Sequence, residues 1–197
     1  PGVEVEVTPG PSCQLSQRLK AGEFDLALLA EGMEPRQWPA EHIGQLQMVW
    51  LTSENAEPHK ARPLPLAVSP QECPWRPAWA KECISRGITM RALERGGVPY
   101  RIVSSAGTTA AQLAAVQAGI AVASTAPLGP LPAGVRIVQP EEGLPELADC
   151  GFLMLKGQNP RQPMTDMLAE QIRAVFAAEP LGRATATAPS DPLAKSG

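Results

Sequence analysis

At the start of the chain Val3, Val5 and Val7 alternate with Glu4 and Glu6, the period-two pattern of a strand with one wet face. The run Thr8-Pro9-Gly10-Pro11 then breaks the chain. Ser12 can cap a helix in which Leu15 and Leu19 fall on one side and which Gly22 terminates. Residues 25–30 follow as a mostly apolar, buried strand. The segment 104–128 repeats the scheme: an alanine-rich helix over 109–118 ends at Gly119, and a strand follows over 120–123. Between the two segments lie predicted strands at 46–51, 64–68 and 100–103, a polar loop at 52–63, and a helix over 77–95 broken near Gly87. Further strands are expected at 135–138 and 152–155. A last amphipathic helix over 164–176 would place Met164, Met167, Leu168, Ile172 and Val175 on one stripe. Strands alternating with helices predict an α/β protein with a parallel or mixed sheet. Residues 184–197 are small and proline-containing, too poor in apolar surface to order themselves.

Composition narrows the picture in two ways. A chain of 197 residues can bury a real core, as one domain or two small lobes. Lys and Arg number 17 against 20 Asp and Glu, for a formal charge of −3. Phosphate neutralisation supplies most of the affinity for DNA, so a weakly acidic chain has no electrostatic reason to sit on it. No run approaches the roughly 18 apolar residues of a membrane helix. No signal-peptide pattern is present, which makes a soluble, cytoplasmic protein without membrane partners the expectation.

Candidate chemistry is sparse. No nucleophile with its base, carboxylate pair, phosphate loop or metal set is visible, so no catalytic residues and no cofactor are expected. Cys13, Cys73, Cys83 and Cys150 show no zinc spacing, and His42 and His59 are the only imidazoles, which argues against a metal. Both histidines fall in polar loops and read as surface residues. Glu141, Glu142 and Glu146 read as a solvated acidic loop, and Tyr100 as a packed residue before a strand.

Several segments together resemble the effector-binding domain of LysR-type bacterial transcriptional regulators. They are Pro1-Gly2-Val3 leading a strand, Gly22 followed by Asp25-Leu26-Ala27-Leu28, Cys73-Pro74-Trp75-Arg76, the run 92–103 and the run 115–122. No one of them is diagnostic, but their order and spacing over about residues 1–176 carry the likeness. The resemblance implies two Rossmann-like lobes of the periplasmic-binding-protein type II fold, joined by two crossing segments. Residues 1–52 with 158–180 would form lobe I, 53–157 lobe II, and 181–197 a flexible tail. It also implies a winged helix-turn-helix and linker helix upstream, through which alone DNA would be met. A further strand would lie between the strands at 3–7 and 25–29. Effector domains of this family pair side by side, so a homodimer or tetramer is expected, with residues 3–7 as a possible part of the contact.

A small effector would then bind between the lobes, where loops at strand carboxyl ends meet helix amino termini. Unpaired N–H groups and helix dipoles favour an anion there. Ser12 is either a ligand contact or a plain N-cap. The loop 69–76 matches the cleft wall of the second lobe, which brings in Ser69 and Cys73. Trp75 could offer an apolar face and Arg76 a carboxylate fork, or Trp75 could pack and Arg76 pair with Glu72. Ser105 and Thr108 surround a helix start, and Ser124 and Thr125 follow a strand. Each alone is a structural candidate, but at least two of the set should line the cleft. A peroxide-sensing branch of the family carries its reactive cysteine at the position of Cys73, ahead of Arg76, with Cys83 ten residues on. Glu72 works against thiolate formation there, so ordinary buried or cleft-lining thiols are expected. A transporter's solute-binding protein and an enzyme on the same scaffold are the alternatives.

Overall fold

The computed structural model describes residues 4–72, 83–158 and 160–178. The expected contributions of Cys73, Trp75, Arg76, residues 77–82 and the tail lie outside these residues.

The first sheet has the order β1-β8-β2, all antiparallel, from β1 (Leu26–Ala30), β2 (Glu41–Leu46) and β8 (Cys150–Lys156). β8 sits centrally because it is apolar on both faces, Leu153, Met154 and Leu155 all being buried. Helix α1 (Ser12–Lys20) packs on β1 through the fully buried Leu19, in a cluster with Ala27, Leu29, Leu153 and Leu155. Helix α4 (Met164–Ala178) covers β2, where Phe176 approaches Gly44 so closely that a Cβ there would stand 3.2 Å from its ring.

The remaining strands are β3 (Val49–Ser53), β4 (Leu64–Val68), β5 (Tyr100–Ser105), β6 (Ala123–Thr125) and β7 (Val135–Ile137). β3 pairs antiparallel with β6 and β7, and β4 pairs in parallel with β5. A parallel bridge between Leu66 and Val122 ties β4 to the approach of β6, so the order runs β5-β4-β6-β3-β7. Helices α2 (Ile84–Arg95) and α3 (Thr109–Gln117) accompany this sheet. α3 ends as expected: Gly119 takes φ +71°, and Ile120 N–H donates to Ala115 O at 3.2 Å.

Several expectations are corrected. Residues 4–7 form no strand. Val5 and Val7 are 51% and 80% exposed, because alternation makes a strand only where a ladder partner accepts the backbone groups. The strand expected over 46–51 is two strands in different sheets, parted at Gln47 and Met48. α2 runs unbroken through Gly87, whose N–H donates to Cys83 O at 2.9 Å. A helical glycine costs about 1 kcal/mol, and burial of Ile88, Ala92 and Leu93 outweighs it. The strand expected at 120–123 is shifted to Ala123–Thr125, leaving Ile120 exposed, and Tyr100 is exposed as well. The inward line of α4 is Thr165, Ala169, Ile172 and Phe176, at spacings of four, three and four; Met164, Met167 and Val175 face outward. Phe176 stacks on Phe152 with centroids 5.6 Å apart.

Two segments run between the sheets, one at Gln47-Met48 and one over 143–149. They adjoin each other, since Trp50 Nε1 donates to Pro145 O at 2.7 Å, and Met48, Trp50, Leu147 and Cys150 share one apolar cluster. That cluster reaches Leu64, Leu66 and Val68 on one side and half-buried Phe152 and Phe176 on the other, so the core is continuous across the crossing.

Candidate functional site

The polar residues of the second sheet converge at the carboxyl ends of its parallel strands. β4 ends at Val68, and Ser69 follows in a half-buried position. Its Oγ accepts from Gln112 Nε2 at 3.2 Å, and its carbonyl accepts from Arg86 NH1 at 2.7 Å. Gln112 Nε2 also donates to Ala106 O at 3.0 Å, just past β5. Two helices and two strand ends therefore meet at one serine. α2 extends the network through Thr89, whose Oγ1 donates to Ser85 O at 2.7 Å and contacts Ser124 Oγ. Thr89 and Ser124 are both buried, so this hydroxyl pair satisfies polar atoms that would otherwise be orphaned.

Ser12 is the first residue of α1, with Pro11 at the N-cap position and no side-chain cap. Its Oγ accepts the N–H of Ala30 at 3.0 Å, closing the end of β1 onto the helix. The N-cap expectation for Ser12 is thereby corrected: proline occupies that position and the hydroxyl is turned to the sheet. The starts of α1 and α2 adjoin, because Cys13 and Met33 pack together with Ile84, the first residue of α2. Thr108 does cap α3, its Oγ1 accepting from Ala111 N at 3.3 Å. Ser105 is exposed at the end of β5, and Thr125 is half-buried opposite Val49. The structure thus brings Ser69 and Ser124 to the two ends of one network through α2, sets Ser105 and Thr108 beside it, and leaves Ser12 on the facing α1.

Arg86, Thr89 and Gln112 are absent from the candidates the sequence suggested. Thr89, set between Ile88 and Met90, and Gln112, inside an alanine-rich helix, each carried a signal; Arg86 did not, because the expected helix began at 77 and the observed one begins at Ile84.

Of the thiols, Cys13 and Cys150 are buried and Cys83 is half-buried at the N-cap position of α2. Burial, then Glu31, then Cys83 push the Cys150 thiol above its ordinary value, which keeps it protonated. Among the described residues no cluster of three or more His, Cys, Asp or Glu side chains comes together.

Away from this site the loop chemistry also differs from expectation. His59 is fully buried, its Nδ1 3.2 Å from Thr52 Oγ1. Its Nε2 lies 2.9 Å from Glu142 Oε1, close in distance but not aligned as a hydrogen bond. Glu142 accepts from Arg136 through both terminal nitrogens at 2.8 Å, and from Gln139 N at 2.7 Å. Neither His59 nor Glu142 is the solvated loop residue expected, because folding sets the 3-10 turn Pro58–Lys60 against β3 and β4, and Glu142, in the turn Pro140–Glu142, is engaged by Arg136 and Gln139. A separate concavity of about 530 Å³ is lined by Trp38, Glu41, Met154 and Lys156 among others; none of the suggested site residues borders it.

One antiparallel and one mixed sheet, each covered by helices and joined by a pair of crossing segments, define the class: the periplasmic-binding-protein type II fold, with polar side chains gathered at the strand ends. Residues 1–177 match the LysR substrate binding domain, and the chain belongs to that family. It is 28% identical over 179 residues to the HTH-type transcriptional regulator DgdR of Burkholderia cepacia, which covers 89% of this chain and 55% of that protein. To the HTH-type transcriptional regulator PecT of Dickeya dadantii strain 3937 it is 23% identical over 176 residues, covering 88% and 51%. The chain spans about half the length of these curated relatives. Among solved structures it is similar to the effector binding domain of QuiR in complex with shikimate, with a TM-score of 0.61, 12% identity, and 86% and 80% of the two chains covered. The regulatory domain of CcmR from Synechocystis PCC6803 in complex with 2-PG gives a TM-score of 0.58 at 14% identity, covering 84% and 80%.

Proposed function

We propose that this chain is the sensing part of a LysR-type transcriptional regulator, in which a small effector binds between two lobes and shifts their arrangement. The observation that carries the reading is the Ser69–Arg86–Gln112 junction at the carboxyl ends of β4 and β5, where open α/β sheets take their ligands, in a chain whose family match runs over residues 1–177. Ser12, at the start of the facing helix, and Thr108, Ser124 and Thr125 are the further polar groups such a ligand would meet. Cys73, Trp75 and Arg76 are candidates from the sequence. The lobes are taken as residues 4–46 with 150–178, and 49–147. This division moves the expected limits, because among the described residues β3 pairs with β6 and β7, and β8 with β1 and β2.

The effector does no covalent chemistry in this reading. It moves the equilibrium between lobe arrangements by its differential affinity for them. Binding of DNA belongs to a helix-turn-helix outside this chain, assembly is as a homodimer or tetramer, and the protein works in the cytoplasm. The relatives are transcriptional regulators, which favours this reading over a transporter's solute-binding protein.

The test is a thermal-shift panel of small metabolites on the chain and on Ser69→Ala and Ser12→Ala. A ligand at 100 times its Kd adds about 2.7 kcal/mol. At least one compound should therefore raise Tm in a saturable way, with the rise reduced in the variants. A panel that leaves Tm unmoved, or a shift equal in all three proteins, refutes the reading.

A further inference from the structure

We propose that Arg86 anchors a carboxylate of the effector and so sets the ligand class as small carboxylic acids; the assignment rests on the reading of the site just given.

The position of this charge is the reason. Arg86 occupies the first turn of α2, at the positive end of the helix dipole, where a cation is disfavoured and an anion favoured. The same turn contains no acidic residue, and Cys83 provides no side-chain cap. Two sources of positive potential therefore coincide at the start of α2.

Nothing described neutralises them. Arg86 is half-buried, and among the described residues no carboxylate lies within 4.0 Å of it, whereas Arg18, Arg136, Arg161 and Arg173 each meet one. Its described partner is the Ser69 carbonyl at 2.7 Å. A carbonyl orients a guanidinium without cancelling its charge, and takes one of its five N–H groups. The planar fork that remains suits a carboxylate bound through two oxygens.

The anchor is also held in place. Ser69 is fixed from the opposite side by Gln112, itself only 8% exposed and tied to Ala106 O. A guanidinium whose acceptor is pinned by a second helix loses little further freedom when a ligand arrives.

The experiment titrates the 197-residue chain with benzoate, propionate and succinate, and with benzamide and propionamide as uncharged counterparts, at constant ionic strength. Melting temperature and calorimetric affinity are read for the wild type, R86Q, R86K and R95Q, the last on the exposed end of the same helix. At least one acid should bind the wild type and R95Q alike, its amide should not, and R86Q should weaken the acid at least about tenfold. R86K keeps the charge but lacks the fork, so it should fall between. Should R86Q lack a cooperative melt without ligand, R86K decides. The anchor is overturned if R86K and R86Q bind the acid as tightly as the wild type, if amides bind as well as acids, or if no acid moves the wild type. In each of those cases the metabolite panel still decides separately whether the cleft is a ligand site.

Discussion

Glu142 is held from two directions, by the Arg136 fork and by the Gln139 N–H. The Arg136 bond first, then the backbone bond, bring its carboxyl from the usual 4.5 down to about 2, against the opposing effect of burial. A carboxyl depressed on folding contributes stability that is present above its unfolded value and lost as pH falls through the folded one. Stability of the chain should therefore decline between pH 4.5 and about 2. Glu142→Gln should remove part of that decline while lowering stability at neutral pH. Urea midpoints of the two proteins across the window measure it, and parallel curves would refute it. Glu41 is also lowered, chiefly by its hydrogen bond to Arg173. That pair is exposed, so salt screens it and its share should be small. His59 and Glu142 escaped the sequence reading for one reason: a polar residue in a loop looks solvated until a distant turn folds over it.

At the scale of elements, the clearest local rule is the end of α3. Gly119 has φ +71°, and a Cβ built there would lie 2.8 Å from the Ala56 Cβ. Gly119→Ala should cost about 1–2 kcal/mol for the left-handed backbone alone, with the contact adding to it. Chemical denaturation reads the loss, and an unchanged midpoint would show that the turn relaxes freely. This glycine was legible because its constraint is local. So were β1, β4 and β8, whose apolar runs have no competing interpretation. Elements whose identity depends on partners were not. Val5 and Val7 have the alternation of a strand and no ladder, and residues 46–51 hold one apolar run that two sheets divide. In α4 the apolar stripe exceeded the face the sheet could cover, so Met167 stays 61% exposed while small Ala169 goes inside. The site follows the same rule. Ser69 and Ser124 could be placed from strand ends, but the bonds to Arg86, Gln112 and Thr89 join residues 17, 43 and 35 positions apart, and no local pattern records them.

For the molecule as a whole, charge and architecture point to the same division of labour. Polar side chains of the second sheet and its helices gather at the ends of β4 and β5, and the formal charge of −3 leaves no net attraction for a polyanion. Local basic groups do not reverse this: Arg18, Arg136 and Arg173 are each occupied by a carboxylate. A protein that neutralises Z phosphates shows log affinity falling with log salt at a slope of about −0.9Z. With Z near zero there is no affinity to lose. The isolated chain should therefore give no gel shift with duplex DNA at low salt, and fluorescence anisotropy with labelled DNA should stay flat as salt is varied. A salt-dependent complex of this chain alone would mean that a basic surface works against the net charge. DNA contact would then have to be sought within the sensing domain itself, and the assignment of Arg86 to a carboxylate would face a competing anion of far higher charge density.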